Sequence, residues 1–294
     1  VSASVPDRVR RHLPADWEVT AHHDGEQARV WRATSGTACI WIKQHRHAAN
    51  AHREATALAA VADLAPGVPR MLDHPSPDTL LLSAVAGQPL ADALPSGPRR
   101  AAAMAQLGGW LRALAACPPP PADAVDADVA YAARFRGWCA GADEALRPRD
   151  RARVLHGFDP DVFAGAPRRW CHRDLTLHNV LLDPAGNVGV IDFGQARPDV
   201  WPVDLVKLWA DPTLDAEDRG QLLAGYGIPL SGDDAARLRH ALVVHAVATL
   251  GWGVRHRQAA RIAEGHALLD RLADGAFVSA GRTGAAQHVG ERSE

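Results

Sequence analysis

The 294-residue chain balances 32 Lys and Arg against 34 Asp and Glu, for a formal net charge of −2 and a pI of about 6.8. That balance leaves no basic footprint for nucleic acid, and no run of roughly 18 apolar residues offers a membrane span. Four scattered cysteines (Cys39, Cys117, Cys139, Cys171) form no CxxC or metal-type cluster, which points to reduced thiols in a cytoplasmic protein. Val1-Ser2-Ala3 leads straight into charged sequence with no apolar stretch of signal-peptide type, which argues against secretion. Among the 32 basic residues only two are lysines, Lys43 and Lys207, so a lysine here is not filler and the position of Lys43 carries weight.

In chain order, Trp17 to Ala21, Ala28 to Ala33 and Thr37 to Lys43 predict a three-strand antiparallel meander. Its connections are the polar stretch His22 to Gln27 and the tight turn Thr34-Ser35-Gly36. A helix follows over Ala49 to Leu64, stopped by Pro66-Gly67. Leu80 to Val85 is a further short strand, broken by Gly87-Gln88-Pro89. The break divides the chain into an N-terminal lobe (1–82), a hinge (83–87) and a mainly helical C-terminal lobe (88–279), with a frayed tail at 280–294. In the second lobe Arg99 to Ala116 reads as a helix with Leu107, Leu111 and Leu114 on one face, ended by Pro118 to Pro121. Two helical stretches fill Val129 to Gly157, a β-rich island occupies Trp170 to Ile191, and helices run from Pro202 to Asp274. No internal repeat appears. The fold class is α+β, a small antiparallel sheet followed by a helical lobe.

The chemistry concentrates between Cys171 and Gly194. Val180 to Leu182 and Val188 to Ile191 are two short strands about the turn Asp183-Pro184-Ala185-Gly186-Asn187, a β-hairpin. Folding it brings Asn179 beside Asp192 at the open end. An amide oxygen and a carboxylate together are hard oxygen ligands suited to Mg²⁺ shared with phosphates. Asp174 lies five residues before Asn179, in the loop entering the same end, and is free to meet a substrate hydroxyl. In the front lobe, alternation puts Cys39, Trp41 and Lys43 on one strand face. Glu54, Leu58 and Val61 share a helix face, so Glu54 points inward and needs a partner, for which Lys43 is the obvious choice.

The run HRDLTLHN followed by IDFG (residues 172–179 and 191–194) resembles the catalytic and metal loops of the protein-kinase-like fold. The resemblance spans residues 15 to 275, and its nearest form is the aminoglycoside phosphotransferase and choline kinase-like family. It implies a two-lobed fold in which Asp174 is the base and Asn179 and Asp192 bind magnesium. It also implies that His172 and Arg173 shape the loop and that Lys43, steadied by Glu54, contacts the nucleotide phosphates. Backbone groups from Ser83 to Ala86, including Ser83 and Val85, would meet the base edge of ATP or GTP, with Trp41 as a stacking surface. One departure stands out: the loop His22 to Gln27 has no GxGxxG, which weakens a protein-kinase reading most.

A small-molecule acceptor follows from a distance. Only seven residues separate Gly194 from Pro202, with no APE, too few for a peptide-seating activation segment. The PxxDL pattern at Pro202 resembles the phosphotransferase family, where the aspartate, here Asp204, ties its helix to the catalytic loop. Asp211, Asp215, Glu217, Asp218, Trp252, His256 and Glu264 are acceptor-pocket candidates, the acids because a cationic aminoglycoside would want carboxylates. The expected activity is transfer of a γ-phosphoryl to an antibiotic hydroxyl, giving resistance, by a monomer or homodimer. The alternatives are a metabolic kinase for choline, a sugar or an amino alcohol, then a protein kinase or a pseudokinase binding module. A metal hydrolase built on His45, His47 and His52 lacks any HExxH-like spacing, and these histidines are expected to be solvated.

Overall fold

The computed structural model describes residues 5–62, 67–118, 125–227, 229–230 and 232–275. A short helix α1 (Asp7–Arg10) precedes the meander β1 (Glu18–Asp24), β2 (Ala28–Ser35) and β3 (Ala38–His45), each strand antiparallel to the next. Alternation along β3 separates two environments. Ile42 joins Val9, Leu13, Trp31, Ala33 and Leu81 in a small core under α1, while Trp41 faces the main core on the other side of the sheet. Helix α2 (Ala48–Ala60) packs Ala51, Leu58 and Val61 into that main core. It stops short of Leu64, because the chain must turn at buried Val61 to bring Gly67 to the second lobe, where its carbonyl accepts from Val190 N at 2.7 Å. Leu64 and Pro66 lie outside the described residues.

Two strands complete the sheet in the order β1-β2-β3-β5-β4. β4 (Met71–Ser76) is absent from the sequence reading: its residues do not alternate, and with Pro75 it suits only an exposed edge. β5 (Thr79–Ser83) ends two residues earlier than its apolar run suggests, because Ser83 makes the last pair with β3 and its Oγ accepts from Arg70 N at 2.8 Å. Beyond it, Gln88–Pro89 is not merely a break: as β6 it pairs with Leu181 and Leu182. Gly87 makes this approach possible. Its φ is +123°, and a Cβ there would stand 2.7 Å from the Leu182 carbonyl carbon.

The second lobe begins with α3 (Gly97–Ala116), whose Leu107, Leu111 and Leu114 are buried, followed by α4 (Ala127–Ala142) and α5 (Pro148–Gly157). Of the proline run that follows α3, Pro119 to Pro121 lie outside the described residues. Four short strands then support the site: β7 (Arg168–Cys171), the hairpin β8 (Val180–Leu182) and β9 (Val188–Val190), and β10 (Arg197–Val200), which pairs with β7. Helices α6 (Leu205–Ala210), α7 (Ala216–Tyr226), α8 (Gly232–Arg255) and α9 (Ala259–Ala273) close the lobe. α3 and α7 touch backbone to backbone. A Cβ on Gly108 would fall 1.9 Å from Leu222 O, and one on Gly225 1.9 Å from Ala105 O. Among the described residues no helix is long and apolar enough to cross a membrane, and all four cysteines are free thiols. The 280–294 tail lies outside the described residues.

Candidate active site

The front half of the site is an ionic cluster. Lys43, at the inner end of β3, donates to Glu54 Oε1 at 3.0 Å and to Asp192 Oδ1 at 2.7 Å. Glu54 lies on the buried face of α2 and is only 1 % exposed, so it depends on partners for its charge. Its second partner is His45, with Nε2 2.8 Å from Glu54 Oε2. His45 is therefore buried and not solvated as the sequence suggested: it follows Lys43 by two residues on the same strand face, which points it inward. His47 and His52 are exposed. Burial disfavours the Lys43 ammonium, but Glu54 and Asp192 outweigh it and hold its pKa above the ordinary value. Burial likewise opposes ionisation of Asp192, yet Lys43 holds its carboxyl at about 2.

The back half is the loop between β7 and β8. Its shape is set by backbone capture: the Asp204 carboxylate accepts from His172 N at 3.0 Å and from Arg173 N at 2.6 Å. Burial nevertheless dominates and raises the Asp204 pKa to about 7, against those two amides. His172 is fully buried, and its Nε2 is 3.0 Å from Ile191 O, which joins the catalytic-loop segment to the start of IDFG. Burial keeps that imidazole neutral by lowering its pKa. Arg173 adopts φ +63° and turns its guanidinium onto Asp199 of β10, with Nε to Oδ2 at 2.8 Å. Arg134 from α4 holds the same carboxylate at 3.0 Å.

Two functional groups emerge from this frame. Asn179 gives its amide N–H to Asp174 O at 2.8 Å, so its own amide oxygen is turned away and available as a ligand. Its backbone oxygen accepts from Ile191 N at 2.9 Å, which sets it at the end of the hairpin beside Asp192. The Asp192 side chain is about half exposed and in the left-handed region at φ +66°, with Oδ1 also accepting from Gly194 N at 3.3 Å. An amide oxygen and an ionised carboxylate fit a hard divalent cation that takes its remaining ligands from phosphates and water. Among the described residues no cluster of three or more His, Cys, Asp or Glu could hold a metal unaided. The Asp174 carboxylate is ion-paired to Lys207 of α6.

The hinge and pocket candidates separate into two groups. Trp41 is partly buried and meets His22 edge-on at 4.7 Å, Ser83 is engaged with Arg70, and the Val85 side chain lies against Gly189. Asp215 and Asp218 form the capping box of α7, and Asp218 is ion-paired to Arg100 of α3. Asp211 accepts from Thr213 Oγ1 at 2.6 Å, Glu264 pairs with Arg261 at 2.7 Å, and Glu217 is exposed. Among the described residues no hydrogen bond or ion pair joins any of these acids to Asp174. Trp252 and His256 differ: Trp252, two turns after partly buried His245 on α8, stacks at 4.1 Å on His256 just past the end of that helix. His256 Nε2 reaches Glu26 Oε1 in the β1–β2 turn at 3.3 Å, so this end of α8 runs up to the front lobe. Lys207, Asp199 and His45 were missed as site residues. Lysine scarcity pointed at the first and strand alternation at the last, while Asp199 gave no signal without the β7–β10 pairing.

The sequence profile of the phosphotransferase enzyme family matches residues 18–241, most of the chain, including Lys43, Glu54, Asp174, Asn179, Asp192 and Lys207. The chain belongs to the phosphotransferase enzyme family. A comparison with curated protein sequences gives no match. Among solved structures, the GDP and kanamycin complex of APH(2")-IIia superposes with a TM-score of 0.71 at 17 % identity, covering 88 % of this chain and 93 % of that one. ADP-bound aminoglycoside phosphotransferase APH(2'')-Ib gives 0.66 at 13 % identity over 91 % of this chain and 99 % of its own. The macrolide 2'-phosphotransferase MphH from Brachybacterium faecium gives 0.63 at 19 % identity, covering 90 % and 97 % respectively. The family fold is thus present along almost the whole chain.

Proposed function

We propose that this phosphotransferase moves the γ-phosphoryl of ATP or GTP to a hydroxyl of a small-molecule antibiotic, giving resistance. The observation that carries it is the convergence of Lys43, Glu54 and Asp192 with the Asp174–Asn179 loop inside the family fold. The solved relatives with GDP, kanamycin or ADP and the macrolide enzyme support the same reading. A small acceptor is supported by β10: the residues after Gly194 are stitched to β7 at once, and α6 follows, so no segment is left to seat a peptide.

In this mechanism Lys43 contacts the nucleotide phosphates, held in place by Glu54 and His45. Asn179 and Asp192 would hold Mg²⁺, which when bound supplies charge neutralisation to the phosphate oxygens. Asp174 orients the acceptor hydroxyl and takes its proton. Backbone groups between Ser83 and Ala86 meet the base. Asp215 and Asp218 of α7 are committed to its capping box and to Arg100, so we assign the acceptor wall to the end of α8, where Trp252 stacks on His256 and His256 reaches Glu26 of the β1–β2 turn. The chain works in the cytoplasm, where nucleotide and antibiotic meet.

The test is a panel of γ-labelled ATP and GTP assays with aminoglycosides, macrolides, other antibiotics, choline, simple sugars and generic protein. Label on an antibiotic hydroxyl is expected. Label confined to choline or a sugar would make this a metabolic kinase, and label confined to protein would overturn the small-molecule reading.

A further inference from the structure

The catalytic loop supplies Asp174, but its arginine, Arg173, is turned onto Asp199. Between Asp174 and Asn179 stand Leu175, Thr176, Leu177 and His178, of which the leucines are buried and the histidine exposed. A phosphoryl in flight spreads negative charge over its equatorial oxygens and is stabilised by positive groups aimed at it. On the nucleotide side Lys43 fills that role, but it is locked between Glu54 and Asp192. On the acceptor side, among the described residues, Lys207 is the one basic side chain paired with Asp174.

Several features single Lys207 out. It is one of two lysines in the chain, and both lie in this site. The rest of α6 is anchored, with Leu205, Val206, Leu208 and Trp209 buried, so the helix is a rigid mount. The Lys207 side chain itself is 35 % exposed and reaches the Asp174 carboxylate. Behind it α8 presents His245, a partly buried imidazole whose pKa desolvation lowers to about 4, with Lys207 and Arg261 adding to the effect. No competing carboxylate comes from that wall: among the described residues Asp174 is the one acid within ion-pair distance of Lys207. When Asp174 accepts a proton, the ammonium loses its counter-charge and the new phosphate ester is the nearest anion.

We propose that Lys207 is a catalytic residue of the transfer, an ammonium that rests on the Asp174 carboxylate and donates to the transferred phosphoryl as Asp174 takes the acceptor proton. This rests on the phosphoryl-transfer reading above. The acceptor O–H bond breaks with its proton going to Asp174, the acceptor O–Pγ bond forms, and the Pγ–O bond to the nucleoside diphosphate breaks with its electron pair on the β-phosphate oxygen. Lys207 gains and loses no proton.

The test needs no identified acceptor. Full-length wild type, Lys207→Ala, Lys207→Arg and Asp174→Asn are compared for Mg-ATP hydrolysis to ADP in water, for ATP dissociation constant and for thermal midpoint. Lys207→Ala is expected to lose about 10²-fold in hydrolysis, the ordinary cost of one preorganised transition-state donor. Its ATP affinity and thermal midpoint should stay near wild type, and Lys207→Arg should recover most of the rate. Wild-type or faster hydrolysis by Lys207→Ala would overturn the proposal, the faster case making Lys207 a mask on Asp174. So would a loss that lies wholly in ATP affinity, or an arginine variant as slow as alanine. A wild-type chain that binds no nucleotide would instead defeat the kinase reading itself, and this proposal with it.

Discussion

Lys43 Nζ lies 2.7 Å from Asp192 Oδ1, joining residues 149 positions apart in sequence and making the two lobes share one charge cluster. The two acids on Lys43 are not equivalent. Glu54 is 1 % exposed and the Asp192 side chain 45 % exposed, so they answer differently to substitution.

Lys43→Met leaves Glu54 buried without its main counter-charge and should cost about 3–5 kcal/mol of stability. Asp192→Asn removes a solvent-reachable charge and should change stability by about 1 kcal/mol or less, because water screens that pair. Urea unfolding separates the two, and equal losses would refute the asymmetry. Turnover should fall steeply in both.

Asp174→Asn should lower turnover by roughly 10²–10⁴ under saturating Mg-ATP, the usual scale for loss of a general base. The nucleotide dissociation constant should stay near wild type, since among the described residues no hydrogen bond or ion pair joins the Asp174 side chain to Lys43, Glu54 or Asp192. Full activity in this variant would remove Asp174 from its role.

Chelation with EDTA should stop ADP formation and added Mg²⁺ restore it. Asn179→Ala should raise the Mg²⁺ needed for half-maximal rate by about tenfold, equivalent to one lost charge-assisted contact. An unchanged Mg²⁺ requirement would take Asn179 out of the ligand set.

Asp204 should leave a mark on the pH dependence of stability. Its folded pKa of about 7 stands above the unfolded value of 3.8, so the fold binds that proton more tightly. The stabilisation is complete below about pH 4 and drains away as pH climbs to about 7. Asp204→Asn should flatten this decline, read as urea midpoints at several pH values across the window, and an unaltered slope would count against the assignment.

Gly108→Ala should cost at least about 1–3 kcal/mol by overpacking, since the new methyl would meet Leu222 O and the two helices would have to part. The thermal midpoint reports it. Gly109→Ala is the control, with Gly225 O 3.9 Å away, and should behave nearly as wild type.

Where neighbours in sequence are neighbours in space, the chain was readable. The meander, α2, α3 and the β8–β9 hairpin each rest on local alternation or helical spacing, and the hairpin alone puts Asn179 near Asp192. The inward face of Glu54 followed from its spacing to Leu58 and Val61. What stayed hidden depends on distant pairing. β4 is an irregular edge strand with a proline, and β10 exists because β7 lies beside it. The α7 acids looked like cation receptors because sequence does not reveal that Arg100, more than a hundred residues earlier, already holds Asp218.

The strand pair that follows IDFG has a regulatory meaning. With Asp199 of β10 clasping Arg173 from the catalytic loop, that loop is seated by folding itself. Enzymes that hold the equivalent segment loose can be toggled by phosphorylating it. In this chain the segment is paired to β7 from Arg197 onward, so the seating of that loop needs no added phosphate at that position.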